Sequence, residues 1–277
     1  MRIKTWTLSN EFWDMIKDEL PEPTKRDPNR IYKRKPGGGR KSVDPRKVLE
    51  GILYVLRTGC QWNAVPREYA NSSTLHRYFQ RWTAEGFFER IWLLGLQMYD
   101  EWEGIGWEWT SIDGSLVKAP LALEAVGKNP TDRGKKGTKR SVLADQTGLP
   151  LAIVIDGANR HDVKLLEETL DHLILEPRTT TSQPHLCADA GYQGETARQQ
   201  VIDHGFIPHI RSRGDEKKEK QKGQRPRRWV VEVLFSWLNR FHKVLVRFEK
   251  KARNYLGLLH FACALIVWRK IIPVHAH

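Results

Sequence analysis

Cysteine is scarce in this chain. Cys60, Cys187 and Cys263 lie far apart and form no CxxC pair. Neither a disulfide framework nor a cysteine zinc site is expected, as suits a reducing cytosol. Long apolar runs are missing too. The longest, LGLLHFACALIVW at 256–268, is interrupted by His260 and closed by Arg269-Lys270. That length predicts a buried core helix rather than a membrane span. The opening MRIKTWTLSNEFWDMIKDEL has no apolar h-region, so no signal peptide is expected. No internal repeat is visible. The PGGGRK of residues 36–41 lacks the GxxxxGKS/T spacing and preceding strand of a phosphate loop. These absences describe a soluble, cytoplasmic protein with no membrane partner.

What is abundant is positive charge. Lys and Arg number 46 against 33 acidic residues, giving +13 and a pI near 9.7. Such a surface attracts polyanions, of which nucleic acid is the commonest large one. The charge is densest in two stretches, an arm at 25–47 and a loop at 211–228.

Residues 44–100 read as helical. Val48, Ile52, Val55 and Leu56 make one apolar face behind Asp44 or Ser42 as cap, with Pro45 in the first turn. Thr58-Gly59 ends that helix. A connector leads to a second helix over 72–82, capped by Ser72 or Ser73. Leu75, Tyr78, Phe79 and Trp82 form its buried side, which leaves Arg77, Gln80 and Arg81 outward. Two helices with a polar second face fit a helix-turn-helix, and those three residues become candidate DNA contacts. A plain helical bundle with a solvated face would show the same pattern.

Strand chemistry then takes over. GWEWTSIDGSLVKAP alternates; SVLADQTGLPLAIVIDGAN reads as a hairpin; HLCADAGYQG and FIPHIR are short strands set between helices. A helix follows Asp162 as its expected cap, another ends at Gly205, and two more close the chain. Strand, hairpin, helix, strand, helix, strand, helix, helix predicts a mixed α/β sheet flanked by helices, the order of an RNase H-like domain. The expected division is a helical DNA-binding region at 1–100 and a catalytic domain at 101–277.

Three acids stand out. Asp113 falls near the expected end of the first strand, before Gly114; Asp189 ends the HLCAD strand, before Ala190-Gly191. Parallel strands present their ends at one edge, where ligands bind. Glu232 lies in RRWVVEVLFSWLNRF, where a helical wheel puts Arg228, Glu232, Ser236, Asn239 and Lys243 on one narrow polar seam. Two strand-end aspartates and a helix glutamate suit two Mg²⁺ ions, which take oxygen ligands and keep several waters. Ions about 4 Å apart can activate an attacking oxygen and stabilise a leaving one.

At these residues the sequence resembles the DDE transposases of bacterial insertion sequences, in insertion-sequence family five. The blocks GGRKSVDPRKVLEGILYVLRTGCQWNAVPREY, SIDGSLVKAP, GANRHDVKLLEETL, CADAGYQG and RRWVVEVLFSWLNRF carry that resemblance in order along most of the chain. It implies that Asp113, Asp189 and Glu232 are the catalytic acids and the ligands of Mg²⁺, with Mn²⁺ as a substitute. It implies binding of terminal inverted repeats and target DNA, strand cleavage and strand transfer, and a homodimer or larger assembly when two ends are synapsed. The short gap between Asp189 and Glu232 leaves no room for the insertion domain of some relatives. Of the wider signature Tyr-x2-Arg-x3-Glu-x6-Lys, Arg228 and Glu232 match, whereas Arg225 and Asn239 stand at the Tyr and Lys positions. Arg228, Arg240 and Lys243 are therefore candidate DNA contacts, and His161 a candidate at the site's edge. The alternatives are an RNase H-like nuclease that does not transpose, or a DNA-binding regulator without catalysis.

Overall fold

The computed structural model describes residues 7–22, 31, 41–177, 183–210 and 229–275. Most of the arm at 25–47, the loop at 211–228 and Arg228 within it lie outside the described residues. Four helices come first: α1 (Asn10–Ile16), α2 (Pro45–Thr58), α3 (Ser72–Ala84) and α4 (Phe87–Trp102). Helix α2 starts where the sequence predicts, with the Asp44 carboxylate accepting from Arg46 N at 2.9 Å. It ends at Gly59, whose φ of 71° is a left-handed conformation that suits glycine. The cap of α3 is Asn71 rather than Ser72 or Ser73; its Oδ1 takes the Ser73 amide at 3.1 Å. Between α2 and α3 the connector contains a 3-10 turn, Trp62–Ala64. It is longer than the tight three- or four-residue turn of the compact helix-turn-helix.

The sheet follows. Its strands are β1 (Trp109–Lys118), β2 (Gly127–Lys128), β3 (Lys136–Ala144), β4 (Pro150–Gly157), β5 (His185–Ala188) and β6 (Ile207–Ile210). β3 is central to an antiparallel trio, pairing β1 on one side and β4 with the short β2 on the other. β5 and β6 continue in parallel beyond β1. Three antiparallel strands followed by two parallel ones form the RNase H-like mixed sheet expected from the order of elements. Helices α5 (Leu166–Asp171) and α6 (Glu195–Asp203) connect the later strands; α7 (Trp229–Leu238), α8 (His242–Leu245) and α9 (Ala252–His275) close the chain.

Two differences from the sequence reading matter for the site. Asp162 caps no helix: His161 holds the cap position of a 3-10 turn, Asp162–Leu165, without a side-chain cap bond, and helix proper begins at Leu166. β1 also runs past Asp113 to Lys118, because β3 keeps pairing with it to that point.

Helix α9 is apolar on nearly every side, as its 256–268 run implies, because it is surrounded. It packs along α4, α3 and β4, with Leu258, Leu259, Phe261, Ala262 and Val267 fully buried. Gly95 of α4 admits the close approach of Trp268, whose Nε1 donates to Ile91 O at 3.2 Å. The helical region and the sheet therefore share one core. Among the described residues no helix is long and apolar enough to cross a membrane.

Candidate active site

β5 pairs with β1 only from Trp109 to Ser111 and ends at Ala188. Beyond that point β1 has lost its parallel neighbour, and Asp113 stands two residues into the resulting notch. Asp189 leaves the end of β5 directly beside it. Each carboxylate bends onto its own turn: Asp113 Oδ1 accepts from Gly114 N, and Asp189 Oδ1 from Gly191 N, both at 2.7 Å. Such local bonds fix the carboxylate's direction. Both residues are half-buried.

A third carboxylate enters the same notch, one that the sequence reading spent on a helix cap. Asp162 Oδ1 lies 2.8 Å from Lys139 Nζ. A Cβ built on Gly114 would come within 2.2 Å of Asp162 Oδ1, and one on Gly191 within 3.8 Å of Oδ2. Gly114 thus leaves the space that Asp162 fills, and Gly191 the space into which the Asp189 carboxylate turns. Tyr192, fully buried, sits beneath all three acids. Burial pushes its phenol well above the ordinary value, and the charges of Asp162, Asp113 and Asp189 push it the same way. The signal available in the sequence was the HD pair at 161–162, of which His161 is exposed and Asp162 half-buried against Gly114.

Glu232 arrives from α7. The helix bears out the seam: Glu232, Ser236 and Asn239 are exposed, whereas Val230, Val231, Leu234 and Leu238 are buried. α7 packs on β1 and β3. Buried Arg140 of β3 donates to Ser115 Oγ at 3.0 Å and to Asn239 Oδ1 at 3.3 Å. Ser115 and Asp113 project on one face of β1, so α7 crosses the face that bears Asp113. From Asn239 back to Glu232 is about two helical turns, roughly 10 Å along α7. The asparagine at the signature's lysine position thus accepts a hydrogen bond from a buried arginine; a lysine there would meet a like charge.

Among the described residues no three carboxylate, imidazole or thiol side chains lie close enough to hold one ion together. Asp113, Asp162 and Asp189 act on one phenol without sharing a common centre, and Glu232 approaches over the face without closing the set. Mutual repulsion of like charges keeps such carboxylates apart. The donor set is all oxygen, which fits Mg²⁺ or Mn²⁺ and not a thiolate-seeking metal. Magnesium needs only one or two protein carboxylates, with water and phosphate completing its shell.

The remaining candidates separate by exposure. Arg77 is exposed on α3. Gln80 is half-buried and lines a cleft of about 310 Å³ with His76, Lys250 and Lys251. Arg81 lies over the Tyr78 ring at 5.3 Å and 3.7 Å from Glu85. Arg240 is exposed. Lys243 must be corrected: only 6% exposed, it donates to Cys60 O at 3.2 Å and lies 3.7 Å from Glu249. The wheel put it on the polar seam, but α7 ends at Leu238, so residue 243 no longer follows that helix.

Residues 8–92 match the family model "Putative transposase of IS4/5 family", and residues 108–267 match "Transposase DDE domain". "Putative transposase for insertion sequence element IS402" of Burkholderia cepacia is 34% identical over 155 residues, 52% of this chain and 69% of that one. "Insertion element IS402 uncharacterized 16.2 kDa protein", from the same organism, is 31% identical over 125 residues, 44% of this chain and 80% of that one. Among solved structures, the catalytic domain of Mos1 mariner transposase aligns over 68% of this chain and 91% of its own at 14% identity, with a TM-score of 0.28. That likeness is too remote to argue from. The DDE model covers more than half of the sequence, including the notch that holds Asp113, Asp162 and Asp189, and the chain belongs to the DDE transposases of bacterial insertion sequences, enzymes of polynucleotidyl transfer.

Proposed function

We propose that the protein binds the terminal inverted repeats of its own insertion sequence and catalyses divalent-metal-dependent cleavage and strand transfer, with Asp113, Asp189 and Glu232 as the catalytic acids. The observation that carries this reading is the notch itself. Asp113 stands on β1 just past the point where its pairing with β5 stops, Asp189 leaves the end of the parallel β5, and Gly114 and Gly191 let the carboxylates of Asp162 and Asp189 lie close against the backbone there. Asp113 and Asp189 hold their carboxylates toward the notch through their own turns. Glu232 comes over the same face on a helix that is pinned to the sheet by the Arg140–Asn239 and Arg140–Ser115 bonds. Mg²⁺ or Mn²⁺ held by these acids would supply activation of water, then of a 3′-hydroxyl, and neutralise charge on the departing oxygen. The helical region, with Arg77 exposed on α3, and the basic arm supply phosphate contacts. Synapsis of two ends requires at least a dimer on DNA, and the working compartment is the bacterial cytoplasm, at the nucleoid.

The test is cleavage of a labelled terminal repeat and its joining to target DNA, with Mg²⁺, Mn²⁺ or EDTA. Asp113→Asn, Asp189→Asn and Glu232→Gln should each abolish both steps while leaving repeat binding intact. Cleavage that survives all three substitutions removes the acids from the mechanism. Cleavage without joining leaves a nuclease, and binding without cleavage leaves a regulator.

A further inference from the structure

Away from the acidic notch, three arginines gather where the ends of α2, α7 and α9 meet. Arg57, in the last turn of α2, lies over the Phe241 ring at 4.2 Å. Its Nε is buried and has no hydrogen-bond partner among the described residues. Arg240 follows α7, and Arg269 stands near the end of α9. Arg240, Arg269, Lys270, Trp237 and Ile266 line a small cleft of about 140 Å³.

No carboxylate pairs with any of the three arginines among the described residues. Burial lowers the Arg57 guanidinium to about 10, and its charged neighbour Arg269 pushes in the same direction. Arg269 is lowered by burial and by Arg240. Lys270 is lowered by burial and opposed only by Asp145. Asp145 does not serve the arginines. It is fully buried, and its carboxylate accepts from the amides of Gly106, Thr147 and Leu149. Lys270 is itself anchored, donating to Thr147 O at 2.7 Å and to Thr147 Oγ1 at 3.0 Å. The helix C-terminus of α2 favours one cation in its last turn, but it does not account for three that repel one another.

We infer that Arg57, Arg240 and Arg269 form a binding site for a backbone phosphate of duplex DNA. Arginine's planar fork suits phosphate oxygens, and an anion relieves the repulsion among the three. The size of the cleft selects the ligand. Small-molecule sites run to about 300 Å³ or more, so this cleft is too small for a nucleotide but accepts a phosphate carried past it on a polymer. Its place extends the proposed function, on which it rests. Arg240 is eight residues from Glu232, roughly 12 Å along the helix direction, or three to four nucleotides of rise. The site ties the helical region, through Arg57, and the last helix, through Arg269, to the same strand that reaches the acids.

The test uses the full chain with Asp113→Asn, so that cleavage does not intervene. Affinity for a terminal-repeat duplex is measured as a function of NaCl concentration. Each released phosphate contact lowers the log–log salt slope by about 0.9. Arg57→Gln, Arg240→Gln and Arg269→Gln should each reduce the slope by about that much, with similar loss on unrelated duplex DNA. Lys17→Gln, an exposed cation just past the end of α1 and already paired with Asp14, should leave it unchanged. Because the arginines repel one another, Arg269→Gln should not lower the thermal midpoint. Unchanged slopes in the three arginine variants overturn the site, as does a lowered Arg269→Gln midpoint accompanied by wild-type binding. Failure of the catalytic reading would show separately, as absent cleavage in the chain that retains Asp113.

Discussion

Asp162→Asn tests how the notch is held. Lys139 is buried, its side chain only 8% exposed, and its ammonium lies 2.8 Å from a carboxylate that is 33% exposed. Removing one partner of a fully buried ion pair costs about 3–5 kcal/mol, because the other charge is left uncompensated. Water reaches one-third of the Asp162 side chain, so the smaller range for hydrogen bonds to charged groups, about 1.5–3 kcal/mol, is the appropriate expectation. For a chain of this size each kcal/mol moves the midpoint by about 2–4 °C, which gives a fall of roughly 3–12 °C. The assay is thermal unfolding followed by circular dichroism for Asp162→Asn, Lys139→Met and the double variant. Lys139→Met in the Asp162→Asn background removes the stranded charge, so the double variant should recover part of the loss, with a coupling of at least about 1.5 kcal/mol. Additive losses, or a single-variant shift below about 1 °C, would refute the claim that this pair fixes the notch.

Gly114→Ala should reproduce the Asp162→Asn phenotype, because its Cβ falls 2.2 Å from Asp162 Oδ1 and evicts the carboxylate; the combined variant should be little worse than either alone. Asn239→Lys, which restores the family signature, should destabilise by about 1–2 kcal/mol, since buried Arg140 loses an acceptor and gains a like charge; a raised midpoint would contradict that account. His260, packed at 5.5 Å from the Trp92 ring, is held by burial at about 4, below its ordinary 6.5. The unfolded chain therefore takes up a proton that the folded one refuses. The His260 contribution is complete above pH 6.5 and declines as pH falls toward 4. His260→Gln should flatten that part of the pH–stability curve, and an unaltered curve would remove His260 as its source.

Some of this was legible in the residues. Asp44, Pro45 and Gly59 bound α2 in the sequence as they do in the structure, because capping is local chemistry. The wheel through Glu232 found the polar seam of α7, since helical period alone decides which residues share a face. Local rules failed where a partner comes from far along the chain. Ser72 or Ser73 was the expected cap of α3, but the turn's geometry gives that place to Asn71. Lys243 continued a wheel whose helix had already ended.

The sequence by itself determined the order of strands and helices, the excess positive charge and the chemical kind of the acids, since these follow from period, composition and residue type. Tertiary structure alone decided what each polar group faces. The parallel pairing of β1 with β5 brings Asp189 beside Asp113; a 3-10 turn, in place of a helix start, sends Asp162 into the gap between them; α2, α7 and α9 converge to bring three arginines together. None of these neighbours is close in sequence, and no local preference carries information about a charge that arrives from another element.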